Sequence, residues 1–408
     1  LLYCTLLDRQ MNKFLKDWCA RPIIATILFQ LILRRLFFIG RNLLLESKPT
    51  LFLKAGGVAE SISKAIPSLQ NPYTPSFLYY FSLLSTGLYP YLKESFFSNL
   101  PTNYHRTNLY LETYQNSGGG ATVCPETVPP GIVSIDWAGA TEDSADSIYV
   151  VVPGLTGSSK DYYVRSFILH LETNAPKARV AAYNPRSRGG NKLDSPFLYS
   201  AGYTQDLRRV IRHIHDNVAA ERPIYLIGFS LGGNVVAKLL GEDGVHSFVN
   251  RAVVCSPPID LLSMSNHLAN TFMGQCLDAV LVRGCNNLLG NDSMFASVIC
   301  DARPTSMADL DGKIIAPMMG CTSASDYYRK SSSGLWLNKI QIPLCVVCPQ
   351  DDPLVNAESV RKDDFESNPF LAGVFPIAGG HSMDCPSSDG TSWFSQVSLE
   401  WCRAAVTS

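Results

Sequence analysis

Residues 222–240 constrain this chain more than any other stretch. Arg222-Pro223-Ile224-Tyr225-Leu226-Ile227 reads as a short buried strand, Gly228-Phe229-Ser230-Leu231-Gly232 matches G-x-S-x-G, and Val235-Val236-Ala237-Lys238-Leu239-Leu240 begins a helix. Strand, sharp turn and helix in that order form an elbow that lifts a serine hydroxyl to the carboxyl edge of a sheet. The glycines are required there because a side chain beside the elbow would strike the flanking strand and helix. G-x-S-x-G alone recurs by chance; its context gives it meaning.

From residue 131 onward apolar strands and helices alternate, the pattern of a mostly parallel sheet covered on both faces. Ile132–Trp137 alternates like an edge strand, whereas Ile148–Val152 is continuously apolar, as a fully buried strand is. Further strands are expected at 179–184, 251–255, 343–348 and 373–377. A helix is expected over 203–218, with Leu207, Val210, Ile211, Ile214 and Val218 at helical spacing. A last helix places Trp393, Val397 and Trp401 on one face. Between 256 and 335 the alternation breaks into a mixed stretch holding Met264, Met273, Met294, Met307, Met318 and Met319. A cap over a substrate would sit there, and methionines suit an irregular apolar pocket, although they serve equally well as the cap's own core.

An elbow serine needs a base, and the base needs an orienting acid, in the chain order Ser, Asp/Glu, His. Of the seven histidines, only His381 lies in a glycine-rich loop after a strand; His213 and His215 fall on a helix. Asp352, in Gln350-Asp351-Asp352-Pro353, follows the strand at 343–348 and is the preferred acid. Asp351 and Asp260 are the alternatives. Oxyanion donors are expected from the N–H of Leu231, after the serine, and from Leu155 in the loop Pro153-Gly154-Leu155-Thr156-Gly157-Ser158. This chemistry requires no cofactor and no metal.

Net charge is −1 over 408 residues, which points to neither nucleic acid nor a strongly charged partner. Residues 1–48 depart from that mean, with eight Lys/Arg against three acids. They enclose the apolar run Ile23–Leu33, too short to span a bilayer, followed by Arg34-Arg35. An interfacial basic helix fits residues 22–40 better than a tilted span or a helix packed on the protein's own body. No small-x-small site follows the run cleanly, which disfavours a cleaved signal peptide. The first residue is Leu1 rather than methionine, which leaves the true start open. Residues 1–70 are therefore expected to be an N-terminal, membrane-associating segment, and 71–408 the main domain. Twelve cysteines raise metal chemistry, but Cys345 and Cys348 stand three apart on a strand and point to opposite faces. Core packing is the expected role. Cys276, Cys285, Cys300 and Cys321 could pair only in an oxidising compartment.

Several separate stretches together resemble the membrane-associated, lipid-acting branch of the α/β-hydrolases, the AB-hydrolase-four group. They are Ile135-Asp136-Trp137, Gly154-Leu155-Thr156-Gly157 with Tyr163-Val164-Arg165, and Asn184-Pro185-Arg186-Ser187-Arg188-Gly189-Gly190. Leu198 to Arg208, Gly228 to Asn234, Asp326-Tyr327-Tyr328 with Ser331-Ser332, Asp351-Asp352-Pro353 and Gly379-Gly380-His381 complete the match. The group takes in monoacylglycerol lipase-like and phospholipase-like abhydrolase-domain proteins, plant embryogenesis-associated relatives and fungal medium-chain ethanol acyltransferases. The resemblance covers about residues 70–404 and implies an α/β-hydrolase fold, with a cap insertion at about 256–335 and a triad on Ser230, Asp352 and His381. Two departures stand out: Pro153 replaces a usual histidine, and Arg-Gly-x-Gly-Gly becomes Arg186-Ser187-Arg188-Gly189-Gly190.

Together, residues and resemblance imply a serine hydrolase acting on lipid carboxylic esters such as monoacylglycerols, at an intracellular membrane such as the endoplasmic reticulum. Acyl transfer to an alcohol is the nearest alternative, and a non-catalytic lipid-binding or scaffold protein the other. Oligomeric state is left open.

Overall fold

A computed structural model describes residues 49–70, 103–116, 125–381 and 392–405. Eleven strands are present among them: β1 (Thr50–Leu53), β2 (His105–Leu111), β3 (Tyr114–Gln115), β4 (Thr127–Val128), β5 (Gly131–Gly139), β6 (Ser147–Val152), β7 (Ala178–Asn184), β8 (Ile224–Phe229), β9 (Arg251–Cys255), β10 (Leu344–Val347) and β11 (Leu371–Phe375). β3 and β4 pair only with each other; the other nine form one sheet in the order β1-β11-β10-β9-β8-β6-β7-β5-β2. The strands from β7 to β11 in that order run parallel. β5 joins β7 antiparallel, β2 joins β5 antiparallel, and β1 joins β11 antiparallel.

All six residues of β6 and of β8 are buried, which explains their continuously apolar sequences. The pleat divides their side chains between two cores. Ile148, Val150, Val152 and Leu226 face a core shared with helices α3 (Gln205–Ile214) and α4 (Leu231–Asp243). Tyr149, Val151, Tyr225 and Ile227 face the other, built with α1 (Val58–Lys64), α2 (Tyr162–Asn174) and α9 (Trp393–Arg403). Each such aliphatic side chain taken out of water contributes about 1.5–3 kcal/mol. Cys345 lies in the second core and Cys348 in the first, on opposite faces as their spacing on a strand requires.

Two expectations are corrected. Ile132–Trp137 is not an edge: β2 covers β5 along its length, pairing His105 with Trp137 through Leu111 with Gly131. The polar start of β2, His105-Arg106-Thr107-Asn108, hid it as a strand, because only part of one face is buried. The sheet also crosses the division drawn at residue 70. Thr50–Leu53 pairs with Phe375–Ala372, and Ile62 and Ile66 are fully buried, so residues 49–70 belong with the α/β body. Four residues are too short a run for strand periodicity to register.

The basic apolar segment 22–40 and the aromatic, proline-rich stretch 71–97 lie outside the described residues. Among the described residues, no helix is long and apolar enough to cross a membrane. Between β9 and β10 the chain is helical, with α5 (Leu261–Asn270), α6 (Phe272–Gly290), α7 (Ala296–Ala302) and α8 (Ala324–Ser331) as its longer elements. The four cysteines of this region carry no disulfide; Cys276 and Cys300 are exposed, Cys285 and Cys321 buried.

The sheet topology fixes where chemistry can occur. From β6 the chain goes to β7 on one side, then returns to β8 on the other. In a parallel sheet, that reversal opens a crevice beyond the strands' carboxyl ends. The loops after β6, β8, β10 and β11 all leave at this edge.

Candidate active site

Ser230 follows β8 directly and precedes α4, with φ 50° and ψ −121°. A residue other than glycine pays about 1–3 kcal/mol to sit in such a conformation, so the surroundings must enforce it. The Ser230 N–H donates to the Cys255 carbonyl at 2.8 Å, and the Ser230 carbonyl accepts from Asn234 N–H at 3.1 Å. Close packing holds the rest. A methyl on Gly232 would stand 2.4 Å from the carbonyl oxygens of Val152 and Pro153, and one on Gly228 would stand 2.8 Å from the Gly233 Cα. The glycines of the elbow thus let α4 lie directly against the end of β6.

His381, in the turn after β11, brings Nε2 to 2.8 Å from Ser230 Oγ. Its Nδ1 lies 2.9 Å from Oδ2 and 3.1 Å from Oδ1 of Asp352. A carboxylate can only accept, so Nδ1 carries the proton and donates; Nε2 is then the acceptor, and the Ser230 hydroxyl donates to it. Asp352 is buried, exposing 8% of its surface. Its Oδ1 also accepts from the N–H groups of Leu354 at 2.8 Å and Val355 at 3.0 Å. Such a line of carboxylate, imidazole and hydroxyl can draw the proton from the hydroxyl as it attacks an electrophile.

The other acids considered from sequence do different work. Asp351 Oδ1 accepts from the Gly380 N–H at 3.0 Å, which ties the histidine turn to the loop after β10. Asp260 caps α5 through the Ser263 N–H at 2.9 Å. His213 and His215 stay on the surface side of α3 and its π-helical extension His215–Ala219.

The loop after β6 reaches the elbow: a methyl on Gly154 would stand 3.4 Å from Ser230 Cβ. Two tyrosines, Tyr199 buried and Tyr163 partly buried, fix this loop. Tyr163 on α2 accepts the Gly154 N–H at 3.0 Å, and Tyr199 donates to the Pro153 carbonyl at 3.1 Å. Burial drives the Tyr163 phenol well above its ordinary range, with the Asp161 charge adding to the effect, so it stays a neutral hydroxyl. The N–H groups of Leu155 and Leu231 make no hydrogen bond to an acceptor among the described residues, leaving both available. Further out, the Ser159 hydroxyl donates to Asp136 at 2.5 Å and its N–H to Asn184 at 2.9 Å. Asp136 also pairs with Arg106 at 2.6 Å. Its burial raises its pKa, but Arg106, Ser159 and Asn184 together bring it below the ordinary value.

Tyr163, Tyr199 and Asp136 were present in the sequence as matched motifs without a role. Asn234 is similar. It donates to the carbonyls of Ala201 (3.2 Å) and Ser331 (3.0 Å) and accepts from the Ser333 N–H (2.9 Å). It therefore joins the elbow helix to segments about 33 and 97 residues away.

Leu155 and Leu231 line a partly open cavity of about 130 Å3 that extends among Leu261, Met264, Leu281, Met307 and Tyr328. Arg188, Asp278 and Asp311 also reach it. Burial, with the Asp278 charge adding to it, raises the Asp311 carboxyl from 3.8 to about 7, against the hydrogen bond from Tyr328. The folded protein then holds a proton that the unfolded chain releases near pH 4, so this group's contribution to stability falls as pH rises from about 4 to 7. Asp311→Asn is expected to flatten that fall. It should melt about 1–3 °C above wild type at pH 8 and no higher at pH 5, as read by thermal unfolding at both pH values.

Among curated proteins, the chain is 28% identical over 264 residues to a monoacylglycerol lipase of Saccharomyces cerevisiae, covering 62% of this chain and 58% of that one. It is 26% identical over 291 residues to the embryogenesis-associated protein EMB8 of Picea glauca, covering 66% and 63%. Over 401 residues it is 24% identical to the mouse monoacylglycerol lipase ABHD2, covering 90% and 89%. The first two matches thus span less than two thirds of those relatives' own length. Residues 150–383 match the family model described as the alpha/beta hydrolase fold. That span runs from β6 through the elbow to His381, and the chain belongs to the α/β-hydrolase fold family.

Proposed function

We propose that this protein is a serine hydrolase that cleaves carboxylic esters of lipids, monoacylglycerols or related acyl esters, through an acyl-enzyme. One observation carries the reading: Ser230 Oγ stands 2.8 Å from His381 Nε2, and His381 Nδ1 2.9 Å from Asp352. Ser230 attacks the ester carbonyl while His381 takes its proton. His381 then returns that proton to the leaving alcohol, and Asp352 stabilises the imidazolium. The free N–H groups of Leu155 and Leu231 receive the developing oxyanion; one such donor is worth roughly 3–4 kcal/mol of barrier. Water, activated by the same histidine, releases the acid.

The helices between β9 and β10 act as a cap over an apolar cavity suited to an acyl chain. Residues 22–40 bring the enzyme to a membrane surface. The relatives' printed names, two of them monoacylglycerol lipases, favour lipid esters over small soluble ones. The test is an ester panel on purified protein, with monoacylglycerols, a diacyl phospholipid and short-chain nitrophenyl esters, repeated with ethanol present. Faster turnover of monoacylglycerol than of the diacyl phospholipid or the short-chain esters is expected, with fatty acid as the product. Ethyl ester as the main product would replace hydrolysis by acyl transfer, and no turnover of any ester by folded protein would refute the reading.

A further inference from the structure

The turn after β7 holds two arginines in contrasting states. Arg186 is fully engaged: Nε and Nη2 donate to Asp206 at 2.6 and 3.1 Å, and Nη1 to the carbonyls of Pro129 and Pro130 and to Ser195. Arg188 is not. It exposes only 6% of its surface, yet among the described residues no carboxylate is in salt-bridge contact with it, the Asp161 charge acting only from further off, and its buried Nε has no hydrogen-bond partner there. Its hydrogen bonds run to the neighbouring residue, from Nη1 to the Ser187 hydroxyl at 2.7 Å and the Ser187 carbonyl at 3.3 Å.

A buried guanidinium with no carboxylate in direct contact is costly for a fold to keep. The local backbone nonetheless holds it rigidly. Ser187 is in the left-handed region at φ 59°. Arg188 N–H donates to the Pro185 carbonyl at 3.1 Å, and its carbonyl accepts from Asn191 N–H at 2.9 Å. This pre-organised cation lines the same cavity as Leu155 and Leu231.

We propose that Arg188 binds an anionic group, a phosphate or carboxylate, on the acyl ester that occupies this cavity, and so selects charged esters over neutral ones. The proposal rests on the hydrolase reading for the word ester, but the anion site stands on its own geometry. A planar guanidinium with unused donors matches such oxyanions. Asp278 and Asp311 line the cavity too, on α6 and the segment before α8. Asp278 accepts the Met307 N–H at 2.8 Å and Asp311 the Tyr328 hydroxyl at 2.7 Å, and among the described residues neither forms an ion pair with Arg188.

The experiment compares matched esters with wild type and Arg188→Gln. One arm sets 1-acylglycerol 3-phosphate against 1-acylglycerol, placing the anion on the alcohol side. The other sets the mono-nitrophenyl ester of glutarate against nitrophenyl pentanoate, placing it on the acyl side. Wild type is expected to favour the anion in at least one arm by about tenfold or more in kcat/KM, and Arg188→Gln to lose that ratio by about 10- to 100-fold. Calorimetric binding of dodecyl phosphate to Ser230→Ala, with and without Arg188→Gln, separates the two readings. Arg188-dependent binding without ester turnover would sink the hydrolase reading and leave the anion site. Turnover with no anion preference, or a preference unchanged in Arg188→Gln, would overturn the anion site. Arg188→Met supplies a readout that a structural role would not give: without ligand it should melt at or above the wild-type temperature. A clear fall in melting temperature with the anion preference intact would assign Arg188 to structure alone.

Discussion

Ser230→Ala is expected to lower kcat for ester hydrolysis by about 10^6 and to abolish labelling by a fluorophosphonate, with little change in melting temperature. Alanine keeps the Cβ, so the elbow's backbone, at φ 50° and ψ −121°, carries the same strain and the same close packing. Only the hydroxyl donating to His381 Nε2 is removed. The N–H groups of Leu155 and Leu231, proposed to receive the oxyanion, and the cavity would remain. They leave a residual rate of about 10^3–10^4 over the uncatalysed reaction, as in serine hydrolases stripped of their nucleophile. Labelling and kcat measured on one folded sample decide the matter. A mutant that keeps more than about a hundredth of wild-type kcat would show that Ser230 is not the nucleophile.

The second large effect is expected from Asp352→Asn, about 10^4 in kcat. Two backbone N–H groups, Leu354 and Val355, donate to Oδ1 at 2.8 and 3.0 Å. In the variant these donors hold the amide oxygen at that position, so the amide nitrogen takes the place of Oδ2, which lies 2.9 Å from His381 Nδ1. The amide then presents a donor as the nearer group to Nδ1, its oxygen standing further off at 3.1 Å, which favours an imidazole that accepts there. Its proton moves to Nε2, the atom that has to receive the serine's proton. Asp351→Asn is the matched control. Its oxygen already accepts a backbone N–H, which an amide oxygen can also do, so the loss should stay within about tenfold. Equal losses at the two positions would reassign the acid.

Much of the sheet was legible from sequence because fully buried parallel strands need unbroken apolar runs. β6, β7, β8, β9, β10 and β11 all answer to such runs, and the sharp turn at Ser230 to its glycines. β1 and β2 were not legible. β1 is four residues long and β2 begins with four polar ones, and both are fixed by the strand beside them rather than by their own pattern.

The site divides in the same way. Chain order and strand ends pointed to Ser230, Asp352 and His381, because each must follow a parallel strand to reach the common edge. Sequence preferred Asp352 but kept Asp351 and Asp260 as alternatives, since all three are carboxylates near strand ends. Their hydrogen bonds separate them: one contacts the histidine, one holds its turn and one caps a helix.

The amino-acid sequence by itself determined the parallel core, the elbow and the residue types able to act there, since burial and backbone strain are written locally in apolar runs and glycines. Tertiary structure alone decided what the rival acids Asp351 and Asp260 do, which tyrosines hold the loop of Leu155, and that Arg188 is buried with no carboxylate in salt-bridge contact among the described residues. Most of those facts depend on segments tens to hundreds of residues apart, and only the packed sheet and its helices bring them within hydrogen-bonding distance.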